Sequence, residues 1–346
     1  MQRNVPNRTG RFSTGPVHTR HIGGVVVMET WLTGDAVRRI QTAFGLRIWA
    51  TVPMRSVVGL VTDRGRFMCK RYDGDKGVSE ERLRAMIDVK TQLEQAGLCR
   101  SYLSTCAGEP FFRFEQAPIT VEPWLAGRHA DFSSAAERMR AVQAAARLHR
   151  ARLRIPFALR HGATILQKLS FRLARADEVV ERGELLGISR EEWEEWRSRA
   201  EQVLRRLPQR QITALTNRDR AAGVLCHRDL APHNILLASG TPAQLIDFDL
   251  AGTDSPIYDL HQLFDHMMYR NPSGAWQEDA LDAYCRIHPL SREHVEALAA
   301  LEEYPSVLLR EIGELRGART GKAKQRVAVR VRFASKLSWQ RMRALA

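Results

Sequence analysis

Residues 225–252 limit the possible folds more than any other stretch of the chain. They read Leu-Cys-His-Arg-Asp-Leu-Ala-Pro-His-Asn-Ile-Leu-Leu, then Ala-Ser-Gly-Thr-Pro-Ala-Gln, then Leu-Ile-Asp-Phe-Asp-Leu-Ala-Gly. Asn234 follows Asp229 by five positions and Asp247 follows it by eighteen. Residues 235–237 form one apolar strand, and Ser239, Gly240, Thr241 and Pro242 carry turn chemistry. A return strand starts over residues 244–246. A hairpin of this kind folds Asp247 back beside Asn234 and Asp229. Three oxygen-bearing side chains then meet at one end of a short ribbon.

Such a cluster suits phosphoryl transfer. Asp229 can accept or orient a hydroxyl proton, and Asn234 and Asp247 are hard oxygen ligands suited to Mg²⁺ on nucleotide phosphates. His227, Arg228 and Asp229 with Asn234 match the H-R-D-x-x-x-x-N pattern of a kinase catalytic loop. Asp229 and Arg228 are therefore the expected catalytic residues, and Asn234 and Asp247 the expected metal ligands. Asp249 stands where the glycine of an Asp-Phe-Gly segment would be.

Charge and cysteine content exclude several classes. The net charge is +14, and residues 1–27 and 310–346 together carry +13 of it. The body between them is nearly neutral, so nucleic acid is not the expected main partner. The five cysteines are scattered without a C-x-x-C pair. That favours a reducing, cytoplasmic setting over a disulfide or zinc framework. No apolar run is long enough to cross a membrane, and no secretory leader is legible.

Residues 1–27 lack apolar periodicity and read as a disordered basic tail, with Met28 as an alternative start. The spacing predicts a helix over 35–44 and strands over 46–52, 56–62 and 66–72. A helix over 79–96 ends at Gly97, and a hairpin follows over 111–114 and 119–121. Lys70 lies in the third strand, where kinases hold nucleotide phosphates. Glu80, Glu81 and Asp88 are the acids available to pair with it. Residues 122–128 form either a crossing between lobes or a plain strand end. On the first reading, Glu122 and Trp124 lie at the nucleotide. From residue 133 onward the chain is mainly helical. His149 reads as a packed core histidine, Ser189 with Glu192 as a capping box, and Asp259 as a helix cap or a brace for the catalytic loop.

These residues give the chain a resemblance to the aminoglycoside-phosphotransferase-like branch of the protein-kinase fold. More narrowly, it resembles the spore-coat CotS family of kinase-like proteins. The carriers are residues 66–70 and 122–128, Leu148 with His149, the 226–250 stretch, and Asp259 with Leu260. The tail pattern of His288, Pro289, Leu290 and Ser291, followed by Tyr304 and Pro305, points to the coat family. The resemblance implies an α+β, two-lobed fold with a small antiparallel-sheet lobe over residues 28–121 and a larger helical lobe over 122–346. It implies ATP and Mg²⁺ as cofactors, Lys70 on the phosphates, Asp259 supporting the catalytic loop, and a hydroxyl acceptor of unstated identity. Spore-coat proteins become expected partners. Two departures stand out. Arg228 replaces a glycine common in this branch, and residues 52–58 have no glycine before Gly59. A kinase fold used as a non-catalytic coat scaffold is the alternative reading. A third reading has residues 310–346 binding an anionic surface.

Overall fold

The structure, a computed structural model, describes residues 31–54, 57–73, 78–160 and 162–345. The expectations for residues 1–27 and for a start at Met28 lie outside the described residues. Helix α1 (Gly34–Phe44) starts where the Thr33 hydroxyl accepts the Ala36 amide at 3.2 Å. It stops at Gly45, whose φ of 61° suits a residue without Cβ. Ala36, Ile40 and Phe44 recur every fourth residue and form its buried stripe.

Five strands follow in one antiparallel sheet: β1 (Ile48–Pro53), β2 (Val58–Thr62), β3 (Gly65–Arg71), β4 (Phe112–Phe114) and β5 (Ala117–Pro123), in the order β1-β2-β3-β5-β4. Leu60, Phe67, Cys69, Ile119 and Val121 pack with Ile40 and Phe44 into one small core. The register sets Lys70 opposite Thr120 and Met68 opposite Glu122.

Helix α2 (Glu80–Gln95), capped by the Ser79 hydroxyl, lies between β3 and β4 in sequence. Its apolar stripe of Leu83, Met86, Ile87 and Leu93 does not join the sheet core. It packs with Leu230, Ile235 and Phe248 of the 225–252 stretch. After the short strand β6 (Arg128–His129) come α3 (Ala135–Arg150), α4 (Ile165–Glu181), α5 (Arg190–Arg206) and α6 (Gln209–Ala221). The hairpin itself is β8 (Ile235–Leu237) paired antiparallel with β9 (Gln244–Leu245), as the turn chemistry predicts. Strand β7 (Leu225–Cys226) enters it and pairs with β10 (Gly252–Thr253) on the way out.

Helix α7 (Pro256–Arg270) is buried on every side over its first ten residues, Pro256 to Asp265. It divides two helical cores. One is formed with α3 and α8 (Gln277–Cys285). The other is formed with α4 to α6, α9 (Arg292–Glu302), α10 (Ser306–Glu314) and α11 (Gly321–Leu345). Trp193 and Trp196 anchor the second core, each contributing about 2–3 kcal/mol on burial. The expected α+β, two-lobed arrangement is present, with a small antiparallel-sheet lobe and a larger helical one.

The capping box expected at Ser189 is only half formed. The Ser189 hydroxyl accepts the Glu192 amide at 3.1 Å. The Glu192 carboxylate does not reach back, because it accepts the Ser335 hydroxyl of α11 instead. The long basic segment at the end of the chain is likewise tied down. Arg330 pairs with Glu311 at 2.6 Å, and Arg341 with Asp265 at 3.3 Å. No helix of the described residues is long and apolar enough to cross a membrane.

Candidate active site

Asp229 is held from two sides. Its Oδ2 accepts the Asn234 side-chain amide at 3.1 Å, and its Oδ1 accepts the Gln262 amide of α7 at 3.0 Å. Asn234 also donates to the Asp229 carbonyl at 2.8 Å. With its side-chain nitrogen so committed, Asn234 presents its side-chain Oδ1 as a ligand atom. The Ile246 amide donates to the Asn234 backbone carbonyl at 3.0 Å, which brings Asp247 next to Asn234. Asn234 and Asp247 together form a hard oxygen donor set that fits Mg²⁺.

The backbone is bent to make this possible. Arg228 and Asp247 adopt φ of 67° and 61°, a region that costs a residue with a Cβ about 1–3 kcal/mol. Asp259 holds the first bend. Its carboxylate accepts the His227 amide at 2.6 Å, the Arg228 amide at 2.7 Å and the His149 ring Nε2 at 3.0 Å. Burial works to raise the Asp259 carboxyl. The hydrogen bond and charge of His149, with His227 and the Arg228 amide, outweigh burial and hold it below the ordinary carboxylate range. Of the two readings open for Asp259, the brace is what the geometry shows. His149 is buried and structural, with Tyr284 on its other ring nitrogen at 2.6 Å.

Arg228, the other expected catalytic residue, is held by contacts other than those of Asp229. Its guanidinium donates to the Ala163 carbonyl and stands 4.9 Å from the Tyr258 ring centre. A weak ion pair to Asp254 at 3.9 Å completes its surroundings. Its side chain fixes the loop from beneath.

Lys70 reaches the hairpin, but its partners are not the acids of α2. It pairs with Asp247 at 2.9 Å and with Asp249 at 2.6 Å. Burial works to lower its pKa, while Tyr72, Asp249 and Asp247 raise it well above the ordinary lysine value. Glu80 instead pairs with Arg84 and Arg113, and Asp88 with Gln92. On the buried face of α2 stands a base, Lys90. It is 2% exposed, pairs with Glu122, and sits 4.0 Å from the Tyr102 ring centre. The Glu122 carboxylate is therefore committed to Lys90. The Tyr72 hydroxyl lies 3.4 Å from that of Tyr102 and donates to Asp249 at 3.2 Å. Polar contacts thus run from Lys70 toward α2 without a lysine–glutamate pair between β3 and that helix. The sequence did hold a signal for Lys90. It falls at i+4 from Met86 and i−3 from Leu93, on the buried face.

Trp124 donates its backbone amide to the Arg66 carbonyl at 2.9 Å. Its ring lies so close to Gly59 that a Cβ there would strike it. Gly59 thus allows a close approach of the ring rather than a phosphate cradle. Arg82 of α2 is a further residue that pattern reading missed. It donates to the Asp249 carbonyl at 3.1 Å, the Ala251 carbonyl at 2.6 Å and the Ala158 carbonyl at 3.4 Å.

This arrangement defines a kinase-like phosphotransferase class, and the sequence agrees. The sequence model of the phosphotransferase enzyme family matches residues 55–303, well over half of the chain, and the chain belongs to that family. No curated protein matches it. Among solved structures it is similar to an aminoglycoside phosphotransferase from Alicyclobacillus acidocaldarius, at 16% identity and a TM-score of 0.68, covering 86% of this chain and 91% of that one. It is also similar to a microcompartment-associated aminopropanol kinase, at 14% identity and a TM-score of 0.63, covering 86% and 92%. A third is the choline kinase LicA from Streptococcus pneumoniae, at 15% identity and a TM-score of 0.55, covering 88% and 98%. At these identities the likeness is one of fold.

Proposed function

We propose that the chain moves the γ-phosphoryl group of ATP to a hydroxyl of a small molecule. The observation that carries this is the Asp229 carboxylate, held at both oxygens beside Asn234, Asp247 and Lys70. In this reading Asp229 orients the acceptor hydroxyl and takes its proton as the new P–O bond forms, the bond from the γ-phosphorus to its bridging oxygen breaks and ADP leaves. Lys70 meets charge on the phosphates, and Asn234 with Asp247 holds the metal. Bound Mg²⁺ would neutralise negative charge on the transferring group. Arg228 acts as a positioning residue, through the backbone that presents Asp229. Trp124 bounds the nucleotide pocket over Gly59, and Glu122 keeps Lys90 in place behind it.

The test is ATP consumption with Mg²⁺ in the wild-type chain against Asp229→Ala and Asp247→Ala. Wild-type turnover no faster than either variant removes the reading.

A second reading, a non-catalytic kinase-fold scaffold, is favoured by one observation: Lys70 pairs with Asp247 and Asp249 and not with an acid of α2. A thermal shift with ATP and Mg²⁺ separates the two. Ligand at 100 times its Kd adds about 2.7 kcal/mol of stability to a nucleotide-binding chain. Association with the spore coat rests on the resemblance carried by residues 288–291 and 304–305 alone. Co-fractionation of the chain with the coat layers of a sporulating host is its test. The three solved neighbours are named for aminoglycoside, aminopropanol and choline, three different hydroxyl-bearing acceptors, so small alcohols are the first class to screen.

A further inference from the structure

We propose that Lys168 of α4 is the acceptor-recognition residue, and that the acceptor carries an oxyanion near its reactive hydroxyl rather than an amine. This rests on the phosphotransferase reading of Asp229.

The two oxygens of Asp229 face different surroundings. Oδ2 faces Asn234 and so the hairpin that also holds Asp247 and Lys70. That is the nucleotide side. Oδ1 faces Gln262 of α7, which leaves this side for the acceptor. Gln262 spends its amide nitrogen on Asp229, so its carbonyl oxygen must accept, and Lys168 Nζ donates to it at 2.9 Å. A cation thus stands one side chain away from the catalytic carboxylate, on the acceptor side.

That cation is short of negative charge. No carboxylate of the described residues lies within 4.0 Å of Lys168, whereas Arg310 has Glu311 and Arg341 has both Asp265 and Glu302. Gln262 takes one of the three ammonium donors, and the Tyr258 ring centre lies 4.2 Å away. Arg172 follows one turn later on the same helix. Lys168 also sits in the first turn of α4 (Ile165–Glu181), the positive end of the helix dipole, where a lysine is disfavoured. Burial, then Arg172 and Arg228, pull its pKa down to about 7, while Asp259 and Asp229 work the other way. A carboxylate or phosphate on the acceptor would supply the missing partner as a charge-assisted hydrogen bond. An ammonium group placed there would meet Lys168 and Arg172 as like charges.

The test uses four matched three-carbon probes with ATP and Mg²⁺: glycerol, glycerate, glycerophosphate and aminopropanol. The expected result is a kcat/KM for glycerate or glycerophosphate at least about tenfold above those for glycerol and aminopropanol. The glycerate and glycerophosphate arms separate a carboxylate from a phosphate. Lys168→Met should raise the KM of the preferred anionic probe by about tenfold or more, with the KM for ATP within about twofold, and Lys168→Arg should restore most of the loss. Preference of the wild-type chain for aminopropanol overturns the proposal. So does a Lys168→Met chain that slows all four probes alike, which would leave Lys168 a positioning residue for Gln262. If no probe stimulates ATP consumption, the phosphotransferase reading is judged on its own test above and thermal shift with the same probes decides this one. Stabilisation by an anionic probe that is lost in Lys168→Met keeps the anion site; equal shifts from all four remove it.

Discussion

The two sides of the nucleotide site are held in different ways. The catalytic loop is fixed from within. Asp259, wholly buried, binds two of its backbone amides, and His149 and Tyr284 stand behind that carboxylate. The sheet lobe is fixed at its edges. The β1–β2 connection has no glycine before Gly59, β1 exposes Trp49 and Val52, and Trp124 packs over Gly59. The link between the sides differs as well, since Lys70 reaches down to Asp247 and Asp249 while α2 contributes Lys90 to Glu122. In the proposed reading, geometry for proton handling is thus held by buried hydrogen bonds, and the nucleotide cover by side-chain packing. Substitutions on the two sides should therefore separate into losses of turnover or fold and losses of nucleotide affinity.

The largest expected effect is on turnover. Asp229→Ala should lower kcat by about 10²–10⁴-fold, with little change in the unfolding midpoint because the side chain is partly exposed. A chain that keeps its kcat breaks the catalytic half of the comparison.

Next comes Asp259→Ala. It strips partners from two buried amides and a buried histidine and should cost about 3–5 kcal/mol in denaturant unfolding. The Asp259 carboxyl is held low in the fold. Its contribution is therefore fully present above the unfolded-state pKa of about 3.9 and is lost as pH falls below that value. Asp259→Asn should flatten the acid side of the stability profile, and an unchanged profile would assign acid unfolding to other groups.

Lys90→Met should cost less, about 2 kcal/mol, because the Glu122 side chain it abandons is 26% exposed. The KM for ATP should rise more than the KM for acceptor, and adding Glu122→Gln should recover part of the stability. Equal movement of both KM values would place this pair outside the nucleotide side.

Smallest is Gly59→Ala. The new methyl forces the Trp124 ring aside, at about 1 kcal/mol, read as a rise of about fivefold in the KM for ATP. An unchanged KM would mean that the ring does not border the nucleotide.

What the sequence disclosed follows the same division. The catalytic hairpin was readable because its residues lie at fixed short spacings, and turn chemistry alone determines how Asp247 returns to Asn234. Strand β1 was displaced from the expected 46–52 to Ile48–Pro53. The Leu46 amide still closes the helix end on the Gln41 carbonyl at 3.0 Å, which uses up the residues where the strand was expected to start. The partner of Lys70 was not readable, because Asp247 and Asp249 lie more than 170 residues away in sequence. Lys90, by contrast, is legible from its place in the stripe of Leu83, Met86, Ile87 and Leu93. Gln262 left no periodic signal, since α7 is buried all round there and every position resembles core. Lys168 is legible only as one basic residue among several until Gln262 joins it to Asp229.

The grip of Asp259 on the His227 and Arg228 amides has a consequence for the order in which the molecule comes apart. Those two amide hydrogens are buried, short-bonded and shielded by α3, α7 and α8. They should exchange with solvent deuterium only when the surrounding core opens as a unit. The catalytic loop then belongs to the most protected part of the protein, not to a fraying surface segment. Partial unfolding that releases α1 and the sheet would leave Asp229 in its native setting, with nothing above it to hold a nucleotide.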